Sequence, residues 1–89
     1  MANVFIKLPV GIAGPGGPAR LECAGGTVGQ ALADCLEKEP RLRSRIFRDD
    51  GSLWVGVFLN GRNIRQKDGL ESALADGDEL RILPPIAGG

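Results

Sequence analysis

The chain closes on Gly88-Gly89, and the α-carboxylate of Gly89 is the group best placed to do chemistry. A free α-carboxylate has a pKa near ~3.5, so it is ionised at neutral pH and is a poor electrophile. To react as an acyl group it must first be activated. Two glycines keep this end thin and free of side chains, so it can thread a narrow channel. The ending Pro84-Pro85-Ile86-Ala87-Gly88-Gly89, if extended, reaches roughly 20 Å at about 3.3 Å per residue. Pro84 and Pro85 stiffen its base and lower the entropy lost when it docks.

Side-chain chemistry is scarce by comparison. The sequence has no histidine, which removes histidine-based acid/base catalysis, serine and cysteine triads and most zinc sites together. Its two cysteines, Cys23 and Cys35, lack a metal-ligand spacing and are too few for an iron–sulfur cluster. No metal site and no catalytic group of the domain's own are expected. Both thiols fall on inward faces of predicted elements and read as buried structural groups. Eleven basic residues offset eleven acidic ones, so no broad field draws the chain to nucleic acid or to an anionic membrane, and neither is an expected partner. No apolar run approaches bilayer length, and residues 1–7 lack the pattern of a secretory signal; a cytoplasmic location is expected.

The elements that must hold the chain end can be read from periodicity. Val4, Ile6 and Leu8 alternate with polar or larger neighbours over residues 2–8, the pattern of a half-buried strand. Residues 9–18, rich in glycine and proline, read as an open loop, followed by a strand over 19–24. Thr27-Val28-Gly29-Gln30 fits a helix-opening capping box. Val28, Leu32, Cys35 and Leu36 then share one helical face until Pro40 interrupts. Residues 41–48 suggest a short extra turn. Residues 53–59 read as the longest strand, with Leu53, Val55, Val57 and Leu59 inward. Asn60-Gly61 is the strongest hairpin signal, leading into a short strand over 62–65. A turn or short helix over 69–74 precedes the Asp76-Gly77-Asp78 turn and a last strand, Glu79–Leu83, which Pro84-Pro85 terminates.

One amphipathic helix has a single apolar stripe and needs a sheet to cover it. The order therefore predicts an α+β fold of the β-grasp type: a mixed sheet of four to five strands around one main helix. With 89 residues there is room for one core. Residues 1–83 form the predicted body and residues 84–89 a flexible reactive tail.

That element order, the Asp76-Gly77-Asp78-Glu79 turn and the Pro-Pro-Ile-Ala-Gly-Gly ending resemble the MoaD/ThiS family of ubiquitin-like sulfur carriers, over essentially the whole chain. The resemblance implies that an E1-like adenylyltransferase activates Gly89 with ATP and magnesium. Sulfur from a sulfurtransferase or other persulfide donor then displaces AMP, leaving a thiocarboxylate that gives its sulfur to a biosynthetic synthase. On this reading the protein binds no cofactor itself, and Pro85, Ile86, Ala87 and Gly88 are the residues recognised in the partner's channel. Pro84-Pro85 resembles the small subunit of molybdopterin synthase. The hairpin Asn60-Gly61-Arg62-Asn63-Ile64-Arg65 and Gly69-Leu70 resemble carriers that serve cysteine or sulfur-containing metabolites.

Strand parity adds a candidate surface. If Leu53, Val55, Val57 and Leu59 face the helix, Trp54 and Phe58 face outward, as do Phe5 and Leu83 on the flanking strands. Phe5, Phe58 and Leu83 then form an expected apolar docking patch beside the tail. Two other classes use the same sequence: a ubiquitin-like modifier joined to lysines through Gly89, and a β-grasp interaction module with no reactive end.

Overall fold

The computed structural model describes residues 1–84. In chain order its elements are β1 (Ala2–Lys7), α1 (Val10–Ala13), β2 (Arg20–Gly25), α2 (Val28–Lys38), α3 (Arg43–Ile46), β3 (Gly56–Leu59), β4 (Arg62–Asn63) and β5 (Glu79–Leu83). Short 3-10 turns lie at Pro40–Leu42, Ile64–Gln66 and Gly69–Glu71.

The five strands form one mixed sheet in the order β2-β1-β5-β3-β4. β1 and β5 run parallel at its centre, and the other neighbours are antiparallel. One face of this sheet is covered by α2. Val4 and Ile6 of β1, Cys23 of β2, Val57 and Leu59 of β3, and Leu80 and Ile82 of β5 are all buried, as are Val28, Ala31, Leu32, Cys35 and Leu36 of α2. Each fully buried aliphatic side chain contributes about 1.5–3 kcal/mol before ordering costs, which makes this layer the source of the fold's stability. It is the β-grasp arrangement that the sequence predicts.

The start of α2 uses its capping residues in a modified way. The Gln30 backbone N–H donates to Thr27 Oγ1 at 3.2 Å, as a capping box requires. The Gln30 side chain reaches one residue further back than expected and accepts from the Gly26 N–H at 2.7 Å. Gly25 lets β2 run close beneath the helix: a Cβ there would lie 2.5 Å from the Ala31 nitrogen. Pro40 stops α2 as expected, with Glu39 capping it through Cys35 O.

Three segments depart from the sequence reading. Residues 9–18 are not wholly open: Ile12 and Ala13 both donate to Pro9 O at 2.9 Å, closing the turn of α1, and Ile12 is buried. So short a turn, set among glycines and prolines, gave periodicity nothing to detect. The strand expected over 53–59 pairs with β5 only from Gly56, opposite Leu83. Beyond Leu83 stands Pro84, which has no N–H to donate. The preceding residues turn elsewhere instead, with Leu53 bridging Phe47 and the Trp54 N–H bonding to Ile46 O at 2.8 Å. The strand expected over 62–65 stops at Asn63, whose side chain accepts from the Arg65 N–H at 2.9 Å and opens a 3-10 turn that buries Ile64.

Candidate functional site

Gly89, Gly88, Ala87, Ile86 and Pro85, the expected reactive terminus and its recognition segment, lie outside the described residues. What the structure shows is how the body presents the residue they follow. β5 leads to Pro84 from the middle of the sheet, held on one side by β1 and on the other by β3. Leu80 and Ile82 point into the core with no exposure, while Leu83 is 39% exposed.

The far end of β5 is anchored by polar contacts. Asp76 Oδ1 accepts from the Asn3 N–H at 2.8 Å, and the Gly77 N–H returns a bond to Asn3 O at 2.9 Å. Asp78 accepts from the Ala75 N–H at 2.8 Å and from Asn60 Nδ2 at 3.0 Å. Asn60 Oδ1 in turn accepts from the Glu79 N–H at 2.9 Å. Asn60 can occupy this place because it and Gly61 adopt the left-handed conformation, at φ 50° and 85°, that the tight hairpin requires. The Ala75 N–H, and after it the Asn60 amide, hold the Asp78 carboxyl below its ordinary pKa. Turn, hairpin and β1 are thus tied together where β5 starts.

The three residues expected as a docking patch share the sheet face opposite α2. Register places Phe5 opposite Glu79, Phe58 opposite Arg81, and Leu83 opposite Gly56. Phe5 and Phe58 are half-buried and Leu83 is exposed. The Arg20 guanidinium lies 3.9 Å from the centre of the Phe5 ring. Between the two phenylalanines run the charged residues of β5, with Glu79 bridging Lys7 at 3.4 Å and Arg81 at 3.7 Å. The face is therefore mixed, charged and apolar. Parity along single strands identified its apolar members, but the charges between them depend on cross-strand register, which only the turns fix.

Other candidate groups have structural duties. Cys23 and Cys35 are both buried free thiols. Hydrogen bonding to Cys23, followed by burial, pushes the Cys35 thiol well above its ordinary pKa, so it stays protonated and unreactive. In the arginine-rich segment, Arg41 pairs with Glu39 at 3.2 Å, Arg45 donates to Ile12 O at 3.1 Å, and Arg48 stacks 4.8 Å from the Trp54 ring. A concavity of about 920 Å³ lies on the exposed side of α2, lined by Ala33, Glu37, Pro40, Arg43 and Phe47 among others. Among the described residues no group of three or more Cys, Asp or Glu side chains can hold a metal ion. No described helix is long and apolar enough to cross a membrane.

Comparison with known proteins agrees with this geometry. The chain is 32% identical to the sulfur carrier protein CysO of Mycobacterium tuberculosis strain H37Rv, over 98% of this chain and 99% of that one. It is 43% identical to small archaeal modifier protein 1 of Haloferax volcanii over 71% of this chain and 70% of the relative. The structure superposes on a chain of the Amycolatopsis orientalis BexX/CysO complex with a TM-score of 0.83, at 30% identity, covering 97% of this chain and 99% of that one. The ThiS family model matches residues 12–89, nearly the full length of the sequence, and the chain belongs to the ThiS family.

Proposed function

We propose that this protein is a sulfur carrier whose Gly89 carboxylate is the reacting group. The observation that carries the reading is the placement of β5: a central strand, clamped at its start, ending at an exposed edge where Pro84 leads to the terminal glycines. The fold supplies a rigid mount, and the chemistry belongs to a partner's active site. In that site the Gly89 carboxylate oxygen attacks the α-phosphorus of ATP, with magnesium, and pyrophosphate leaves. The terminal sulfur of a persulfide then displaces AMP from the acyl carbon. A thiol cleaves the resulting S–S bond and is oxidised to a disulfide, leaving the Gly89 thiocarboxylate. This species is a nucleophilic sulfur donor for a biosynthetic synthase.

The partners of this scheme are an E1-like adenylyltransferase, a persulfide donor and a sulfur-accepting synthase. The names of the relatives support a carrier, and the BexX/CysO complex supports a carrier that works docked to a second protein. Its acceptor is the synthesis of cysteine, of another sulfur-containing metabolite or of molybdopterin. The similarity to an archaeal modifier protein favours a second reading, in which the activated Gly89 forms an amide with a lysine.

Intact mass spectrometry separates the two. Incubation with ATP, magnesium, an E1-like enzyme and a persulfide donor should add roughly 16 Da, replacing one oxygen by sulfur, with the increment confined to the C-terminal peptide. Recovery of the protein only as lysine-linked adducts, with no thiocarboxylate, would favour the modifier. An unchanged mass would refute activation altogether.

A further inference from the structure

The outer sheet face carries a charge pattern that its own contacts offset only in part. Register puts Arg20 of β2 directly opposite Lys7 of β1, and Lys7 directly opposite Arg81 of β5. Three cations thus stand side by side across three neighbouring strands on one face. Like charges in directly opposed positions destabilise a sheet. The next row toward the start of β5 has the opposite character, with Glu22, Phe5 and Glu79 in register and the Asp76 and Asp78 carboxylates near the same end.

A chain of zero net charge is in this way polarised along β5, positive toward Leu83 and Pro84 and negative toward the clamped turn. Glu79 offsets part of the row by bridging both Lys7 and Arg81, and the Phe5 ring takes the Arg20 guanidinium. One carboxylate shared between an ammonium and a guanidinium leaves the row with excess positive charge. The side chains remain available: those of Lys7 and Arg81 are 46% and 56% exposed. Lys7, Arg81, Ala19 and Leu83 also line a shallow depression of about 260 Å³ beside the last residues of β5.

Excess positive charge gathered beside the strand end that leads to the tail is suited to electrostatic recognition of a partner. We infer that the Arg20-Lys7-Arg81 row is a recognition surface for an acidic protein surface, the carboxylate-bearing rim around the channel that admits the chain end. Opposed potentials would steer the carrier in with its tail leading and fix its rotation about β5 before the glycines enter. The inference rests on the proposed carrier function, since it assigns the row to the partner that activates Gly89.

ATP–pyrophosphate exchange by the E1-like enzyme of the same genome tests it, with carrier concentration varied. The double variant Lys7→Glu/Arg81→Glu should raise KM for the carrier about tenfold or more at low ionic strength and change kcat by less than about twofold. The gap from wild type should narrow as salt is added. Lys7→Gln/Arg81→Gln should show a smaller rise in the same direction, and both variants should melt no more than a few degrees from wild type, because the side chains are exposed. Arg62→Glu/Arg65→Glu, on the far edge of the sheet, is the control for net charge. A KM within about twofold of wild type for the row variants, or an equal rise in the control, overturns the inference while exchange by the wild type leaves the carrier reading standing. Absence of exchange with the wild-type chain overturns both.

Discussion

Strand β5 begins in a knot of hydrogen bonds and ends beside a proline. At its start, Asp76, Gly77, Asp78 and Asn60 close the turn and tie the strand to β1 and to the β3–β4 hairpin through five contacts of 2.8–3.0 Å. At its finish, the last ladder position pairs Leu83 with Gly56, and Pro84 offers no donor to continue. Both ends flank the same buried pair, Leu80 and Ile82. On the proposed carrier function, the difference lets the strand be held rigidly while its end is handed to another protein: hydrogen bonds are concentrated where nothing has to move. A symmetrical anchor would have to be broken in every docking event.

Substitutions along β5 should separate these roles. Leu80→Ala, in the fully buried middle, should destabilise the domain by about 2–5 kcal/mol in chemical denaturation, enough to unfold a large fraction of so small a protein. Asp78→Ala should cost less, about 0.5–1.5 kcal/mol, because it removes the acceptor of the Ala75 N–H and the Asn60 amide at a surface where water can replace it. The matching change at the other end, Leu83→Ala, should shift stability by under about 0.5 kcal/mol. Its effect should appear as weaker docking, a raised KM for the carrier in the activation assay. Comparable stability losses for Asp78→Ala and Leu83→Ala would erase the contrast.

Acid should weaken the clamped end as its carboxyl takes up a proton. Asp78 has a lowered pKa because of the Ala75 N–H and then the Asn60 amide, and Asp34 is lowered by the Ala24 N–H and then by Lys38. A carboxyl whose folded pKa is depressed contributes stability above the unfolded value of about 3.9 and loses it as pH falls through the folded value. Denaturation midpoints should therefore hold steady from neutral pH to about 5 and decline below about 4. Asp78→Ala should flatten that decline, and an equal slope in the variant would remove Asp78 from the account.

Much of the body was legible in the sequence because its signals are local. Alternation at Val4 and Ile6, the helical spacing of Val28, Leu32, Cys35 and Leu36, and the left-handed demand of Asn60-Gly61 each act over a few residues. The losses came where partners decide. Whether residues 53–55 extend β3 depends on what β5 offers opposite them, and β5 offers Pro84. Ile12 reads as a stray loop residue until the turn of α1 lays it on the core. The same holds for the outer face. Phe5, Phe58 and Leu83 were found by parity, whereas the Arg20-Lys7-Arg81 row exists only once register aligns three strands.

The central claim is that the body presents and the chain end reacts, so that the two can be uncoupled. Deleting Gly89 and measuring both thermal unfolding and thiocarboxylate formation tests this most directly. The account predicts a melting temperature unchanged within about 2 °C, as expected for removal of a single chain-terminal residue, together with complete loss of adenylation and sulfur loading. A truncated chain that still acquires sulfur, or one whose fold is lost along with its activity, would contradict it.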